Sequence, residues 1–455
     1  MVYSDDTPLL SALEAYAARG AARFHMPGHK GRDVLAYDVT ELPCTGDLYR
    51  ARTDNPIRAS EALFAKTYGF GSAVYLTGGA SQGVFAVLAA YAGAGGAVLT
   101  DRLCHQSVCH AMALLDLKPG WLPRSFRVSD GVASPIDPAL LERELSARKY
   151  AAVFVTSPTY NGVCSDIIAL SDICARHGAS LLVDAAHGAH LPFLPGDYGL
   201  TAADAVIISA HKTLPALGQA AAVLVGCRQQ RLIGCGQSAA GGQGQSAGES
   251  VRSYAQMAGT SSPSYLIMAS LESARVFLDA RGREAGRELC GILDGFGGPL
   301  LLRQTPGVTV DPLRLTVRCR DGVEAAELLR ARGVEPEAAA ANTVILIVSL
   351  CEETSALERL RRALDALERE RPDLILPPDG GETRTPALPE SVMSVRDAFF
   401  RRDAVTLKFG NAVGMAAAKP FAPFPPGVAV LMPGERVGVQ TAEAYHGVTH
   451  QFIKE

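Results

Sequence analysis

From about residue 57 to residue 280 the chain alternates short apolar runs with stretches of helical periodicity. The runs at 73–76, 97–100, 151–156, 180–184 and 205–208 are apolar almost throughout, as expected of strands buried on both faces. Between them, Ile167, Leu170, Ile173 and Cys174 recur at helical spacing, and 84–91 reads as another helix. This order predicts an α/β fold with a mostly parallel sheet covered by helices. Upstream, Leu9, Leu10, Leu13, Tyr16 and Ala17 mark a short amphipathic helix. Phe24-His25-Met26-Pro27-Gly28-His29-Lys30-Gly31 is too rich in Pro and Gly for a helix or central strand and is expected to form a defined loop. Residues 234–248, rich in Gly, Gln, Ser and Ala, are expected to form a loop or mobile connection. Beyond residue 281, strands at 313–317 and 343–350, each followed by a helix (322–332 and 353–369), predict a small α/β sandwich. The chain thus divides into an N-terminal arm (1–55), a large domain (56–280) and a smaller C-terminal domain with its own tail (281–455).

Composition narrows the function classes. The 455 residues are 48% hydrophobic and carry a net charge of −4, which gives no reason to invoke nucleic acid or an anionic membrane. No segment has the apolar length of a membrane span, and residues 1–6 lack the features of a signal peptide, so a cytoplasmic protein is expected. The ten cysteines lack metal-ligand spacing: Cys104 and Cys109 are too far apart for CxxC, and Cys227 and Cys235 have no second pair. Reduced, mostly packed thiols are expected, without a zinc site.

The candidate chemistry centres on Lys212. It follows the apolar run 205–208 in Ser209-Ala210-His211-Lys212, the setting in which many pyridoxal-phosphate (PLP) enzymes present the amine that binds their cofactor. Asp184 ends a parallel run, Ser180-Leu181-Leu182-Val183-Asp184. Both residues then sit along the carboxyl edge of the sheet, where open α/β folds bind ligands. A carboxylate against a pyridine nitrogen keeps that nitrogen protonated, so the ring can accept electrons from a bond broken at the substrate's α-carbon. Thr77-Gly78-Gly79-Ala80-Ser81-Gln82-Gly83 links a strand to a helix, and its backbone N–H groups suit a phosphate. It reads equally as an ordinary tight turn. His105, in Asp101-Arg102-Leu103-Cys104-His105, is placed to lie on an aromatic cofactor ring, with a helix-cap histidine as the other reading. Ser157-Pro158-Thr159-Tyr160-Asn161-Gly162 follows a strand and either joins the site or forms a surface turn. Ser209 and His211 offer further donors to a phosphate beside Lys212.

Together these segments resemble the Orn/Lys/Arg decarboxylase family. The resemblance runs through Phe24 to Gly31, Asp38-Val39-Thr40-Glu41-Leu42-Pro43, Asp101 to Ser107, Asp184 to His190 and Ser209 to Lys212. It continues in Thr260-Ser261-Ser262-Pro263-Ser264-Tyr265, Pro423-Phe424-Pro425-Pro426-Gly427 and Pro433-Gly434-Glu435. It covers most of the chain and is similar to the short form without a wing domain. The resemblance implies an aspartate aminotransferase-like fold, with a mostly parallel seven-stranded sheet flanked by helices and a smaller C-terminal α/β domain. It implies PLP as cofactor and decarboxylation of arginine, lysine or ornithine to the amine and CO2. Lys212 then holds the cofactor, Asp184 pairs with its ring nitrogen and His105 stacks on the ring. Gly79, Ala80, Ser81, Ser209 and His211 surround the phosphate, with His187 beside the cofactor. Ser261 reaches the phosphate of a neighbouring subunit, so a homodimer or higher homo-oligomer with shared sites is expected.

The departures from the family pattern fall in the phosphate turn and in the C-terminal region that borders the site. Gly78 and Ala80 replace the usual Asn and Ser or Thr, and Ala185 replaces Glu. A Gly-Arg-Ile-x-x-Glu stretch becomes Gly414-Met415-Ala416-Ala417-Ala418-Lys419, and Phe424 replaces Tyr. Lys419 near the site would repel a substrate's distal cation. Asp47, Glu41 and Glu435 are the candidate acidic partners for that cation. A second reading keeps the PLP site for transamination, racemisation or β/γ-elimination, with Arg314 or Arg318 the candidate to clamp the substrate carboxylate in a transaminase. A third is a catalytically silent PLP-fold protein.

Overall fold

Seven strands build the central sheet: β1 (Ser72–Leu76), β2 (Ala97–Asp101), β3 (Lys118–Leu122), β4 (Ala152–Thr156), β5 (Ser180–Asp184), β6 (Ala205–Ile208) and β7 (Ala221–Val225). The computed structural model describes residues 6–32, 37–39, 55–226, 246–296, 298, 300–305, 307–377, 382–423 and 427–454. Strand order is β1-β7-β6-β5-β4-β2-β3. The contacts β2–β3, β2–β4, β4–β5 and β5–β6 are parallel, and β7 runs against both β1 and β6. Alternate residues feed two cores. Leu99, Val153, Leu181, Val183 and Val206 enter one, and Val98, Phe154, Leu182, Ile207 and Val223 enter the other. Burial on both faces is why these strands read as continuous apolar runs.

The α-helices up to residue 370 are α1 (Pro8–Ala18), α2 (Pro56–Tyr68), α3 (Gly79–Ala92), α4 (Gln106–Leu115), α5 (Pro138–Ala147), α6 (Ile167–His177), α7 (Ala210–Thr213), α8 (Ala247–Met257), α9 (Tyr265–Phe277), α10 (Arg283–Asp294), α11 (Gly322–Arg330) and α12 (Thr354–Glu370). Phe64 of α2, Leu170 of α6 and Leu271 of α9 cover the first face. Val87 of α3, Met112 of α4 and Val251 of α8 cover the second. Local signals fix the helix ends. At α6 the Asp166 carboxylate accepts the Ala169 N–H, and Gly178 closes the helix in the left-handed region at φ 70°. The start of α1 is held from outside, because the buried Glu272 carboxylate accepts the Leu9 and Leu10 N–H groups at 3.2 and 2.7 Å.

Downstream, β8 (Arg314–Arg318), β9 (Ala338–Ala339) and β10 (Thr343–Ile347) form an antiparallel sheet in the order β8-β10-β9. Leu329 of α11 and Leu357 and Leu364 of α12 join it to the same core as the first face of the large sheet. In the tail, β11 (Val405–Lys408), β12 (Ala416–Ala417) and β13 (Thr449–Ile453) form a further sheet, ordered β11-β13-β12, beside Phe409, Leu431 and Phe452.

The sequence expectations for both sandwich strands and their helices hold to within a few residues. Three differences have physical causes. Helix α3 begins at Gly79, not near residue 84, because the small residues of the turn wind straight into the helix after Gly79 takes φ 72°. Of the expected loop 234–248, Ala247 and Gly248 are helical, since Ser246 caps α8 by accepting the Glu249 N–H. The remainder of that loop, 234–245, lies outside the described residues. Strand β9, two residues long, is too short to leave a periodic signal. The segment 24–31 forms bends and turns, as its Pro and Gly content requires. Cys104, Cys109, Cys164, Cys174 and Cys319 are buried free thiols. Among the described residues no helix is long and apolar enough to cross a membrane.

Candidate active site

The connections leaving the carboxyl ends of β1, β2, β4, β5 and β6 open onto one cavity of about 750 Å³. Its wall includes Gly79, Ala80, Ser81, His105, Asp184, His187, Ser209, His211 and Lys212. Strand register brings these distant segments together. Thr156 lies opposite Asp184, and Asp184 opposite Ile207, one turn of chain before Ser209. A buried clamp fixes the edge itself. Asp101, at the end of β2, takes Arg124 Nη2 at 2.6 Å and accepts the Leu103 and Thr156 N–H groups. Arg124 also donates to the Thr156 carbonyl at 2.6 Å, so the ends of β2 and β4 are cross-tied.

At the start of α3, Gly79 adopts φ 72°, a conformation that favours glycine, and its N–H donates to the Gln219 carbonyl at 3.1 Å. The helix start then presents backbone N–H groups at Ala80 and Ser81 to the cavity, with the helix dipole behind them. Ser209 precedes α7 without capping it, which leaves its hydroxyl to face the cavity. His211 Nδ1 lies 3.1 Å from the Ala220 carbonyl. A carbonyl only accepts, so Nδ1 carries a proton and only the imidazolium form has a second N–H to offer a phosphate.

Asp184 is 5% exposed, and its carboxylate accepts the Ala186 N–H at 3.0 Å. Burial pushes its pKa up, opposed by that N–H and by the charges of Lys212 and His105. Among the described residues no arginine or lysine forms an ion pair with it, so a cationic group placed beside it would favour its charged form against burial. Lys212 lies 3.1 Å from His187 Nε2, and burial lowers the pKa of its amine, against the pull of Asp184. His105 meets its helix-cap reading and also faces the cavity. It caps α4, with Nδ1 accepting the Ser107 N–H at 3.2 Å, and its ring lines the cavity.

The site also contains Glu337, which the sequence did not single out, and Tyr160, from the segment expected either to join the site or to form a surface turn. Tyr160 donates to Glu337 Oε1 at 3.0 Å, and both line the cavity. The Tyr160 ring meets His187 edge-on at 5.2 Å. Glu337 sits just ahead of β9 and comes from the small sheet, so only the tertiary fold reveals it. Arg314, at the start of β8, donates from Nη2 to His187 Nδ1 at 3.0 Å.

Other expected residues are turned elsewhere. Glu435 is 1% exposed and paired with Arg102 at 2.8 Å, which removes it as a partner for a substrate cation. The Lys419 amine donates to the Phe399 carbonyl and lies 4.0 Å from the centroid of the Phe399 ring, away from the cavity lining. Arg318 is bound to Asp130 at 2.5 Å, and neither it nor Arg314 lines the cavity. Ser261 is exposed on the turn before α9 and is not part of this wall. Glu41, Asp47 and Phe424 lie outside the described residues.

An amine, a buried carboxylate awaiting a cation and a helix start rich in N–H groups are the donor set that fits PLP. Residues 7–291 match the family described as Orn/Lys/Arg decarboxylase, major domain, and residues 382–455 match its C-terminal domain. The uncharacterized protein YaaO of Bacillus subtilis (strain 168) is 29% identical, over 96% of this chain and 93% of that protein. An arginine decarboxylase of Halalkalibacterium halodurans is 25% identical, over 96% of this chain and 92% of its own. Among solved structures, lysine decarboxylase A from Pseudomonas aeruginosa superposes with a TM-score of 0.77 at 18% identity, covering 98% of this chain and 80% of that one. The Escherichia coli constitutive lysine decarboxylase gives 0.76 at 19% identity, covering 97% and 77%. The chain therefore belongs to the Orn/Lys/Arg decarboxylase family and is a decarboxylase.

Proposed function

We propose that the protein is a PLP-dependent decarboxylase of a basic amino acid, with arginine the first candidate substrate and lysine and ornithine next. The observation that supports this most is one cavity lined by Lys212, Asp184 and His105 together with a second carboxylate, Glu337, toward the small sheet. Arginine comes first because curated relatives matched over nearly the whole chain are named arginine decarboxylases.

In this reading Lys212 holds the cofactor and Asp184 faces its ring nitrogen as a counter-charge. His105 lies on the ring, His187 sits beside it, and Gly79, Ala80, Ser81, Ser209 and His211 receive the phosphate. PLP, when bound, supplies an electron sink for the pair left when the bond from the α-carbon to the carboxylate breaks. The protein's part is orientation and proton placement. Glu337 attracts the distal ammonium or guanidinium and so sets how far the α-carbon reaches toward Lys212. Among the described residues no arginine lines the cavity, which leaves the α-carboxylate without the strong clamp that a transaminase uses and suits its departure as neutral CO2. The α-carbon then needs a proton, and the protein atoms that can hold one beside it are Lys212 Nζ, His187 Nε2 and the His105 ring.

We infer further that the enzyme works in the cytoplasm as a homodimer or larger homo-oligomer, with Ser261 reaching the neighbour's phosphate. Its exposure outside its own chain's cavity agrees with that role. The test of the reaction is incubation of PLP-loaded protein with basic and non-basic amino acids, with CO2 and products identified by mass spectrometry. The expected result is one CO2 and one amine per basic substrate consumed. Keto-acid formation without CO2 would replace decarboxylation with transamination.

A further inference from the structure

We infer that Arg314 fixes the tautomer of His187 and, through it, keeps the Lys212 amine unprotonated in the cofactor-free protein. This rests on Lys212 being the lysine that holds PLP. The argument follows donors and acceptors along three side chains. A guanidinium has only donors, so with Arg314 Nη2 3.0 Å from His187 Nδ1, that ring nitrogen must accept. The proton of the neutral ring is then on Nε2. Lys212 Nζ stands 3.1 Å from Nε2 and faces an N–H. An ammonium group has no lone pair to offer, whereas a free amine has one, so the contact is a hydrogen bond only if Lys212 is neutral.

The alternative, a doubly protonated His187, would set N–H against N–H at both ends. It is also opposed by burial and by the fixed charge of Arg314, which push the pKa of the ring well down. The groups around Lys212 divide. Asp184 at the end of β5 and Glu337 ahead of β9 favour its charged form, while burial and Arg314 oppose it. Tyr160 and His105 face the same space, and His211 precedes Lys212 on α7.

Arg314 is built to stay in place. It is 1% exposed, and among the described residues its Nε and Nη1 have no hydrogen-bond partner, so the bond to His187 is what orients its head there. Asp311, itself bonded to His190 at 2.9 Å, supplies a nearby countercharge. Gly162, at φ 87°, makes room for the stem: a Cβ there would fall 2.7 Å from Arg314 Cβ. Arg314 is thus a positioning residue. Condensation of an amine with an aldehyde joins N to C and releases one water, the two amine hydrogens leaving with the aldehyde oxygen. A lysine already neutral enters that reaction without first losing a proton.

The test uses cofactor-free full-length protein. Histidine-selective 15N NMR should show His187 protonated at Nε2 and bare at Nδ1. Stopped-flow absorbance of PLP capture across pH 6–9 should show a profile that in Arg314→Met moves upward by about one pH unit, a roughly tenfold slower capture at neutral pH. Arg314→Lys, which restores a charged donor, should recover the wild-type profile. A wild-type His187 protonated at Nδ1, or an unchanged capture profile in Arg314→Met, overturns the inference. Should Arg314→Met fail to fold, the wild-type tautomer decides alone. Capture that persists in Lys212→Ala instead defeats the underlying assignment of the lysine, and the inference falls with it.

Discussion

Arg102 and Glu435 form a buried ion pair at 2.8 Å that ties the end of β2 to the C-terminal segment. Arg102 also donates to the Ala429 and Val430 carbonyls and lies over the Trp121 ring at 5.3 Å, while Glu435 accepts the Met432 N–H at 2.7 Å. The pair holds the chain that carries Val428 against His105, so its role is to shape the cavity wall. Removing one charge leaves the other buried without its partner, which costs about 3 kcal/mol. Glu435→Gln is therefore expected to lower unfolding stability by that amount in urea, with KM for the amino acid unchanged. A rise in KM without loss of stability would return Glu435 to substrate binding.

Glu337 is the residue on which substrate charge is expected to register. A hydrogen bond to a charged group contributes about 1.5–3 kcal/mol, so Glu337→Gln should raise KM for a basic substrate roughly 10- to 100-fold with little change in kcat. Steady-state kinetics on arginine and on citrulline, its uncharged isostere, would show preference for arginine falling by the same factor.

Asp184→Asn keeps the shape and removes the charge. With no anion to hold the ring nitrogen protonated, turnover should fall by at least about 100-fold, together with weaker PLP retention on dialysis. An active Asn variant would separate this carboxylate from the chemistry.

Acid should destabilise the cofactor-free fold through its histidines. Burial lowers the pKa of His187, and of His105 and His450. Below a pH of about 6.5 the unfolded chain takes up protons that these folded rings refuse, so stability is present above that pH and is lost as pH falls. Each such proton contributes about 1.4 kcal/mol per pH unit once fully engaged. Urea melts at pH 5.5 and 7.5 should show the loss, and His187→Gln should lessen it.

The sheet and the strand-end half of the site were legible in the sequence for a shared reason. Strands buried on both faces leave unbroken apolar runs, and the residue closing each run, Asp184 for example, falls at the edge where ligands bind. The other half was not. Glu337 reaches the cavity from a second sheet, and Arg314, offered by the sequence only as a carboxylate clamp, instead meets His187; no local pattern records which turn of a distant element faces the site. Charge alone misled in two places: Glu435 looked available but is neutralised by Arg102, and Lys419 looked disruptive but is turned onto Phe399. Sequence lists charges, whereas partners decide what they do.

Borohydride reduction of the PLP-loaded protein, followed by peptide mass mapping, tests the central assignment most directly. The account predicts one pyridoxyl group per chain, on Lys212. A label on any other lysine, or none at all, would contradict it.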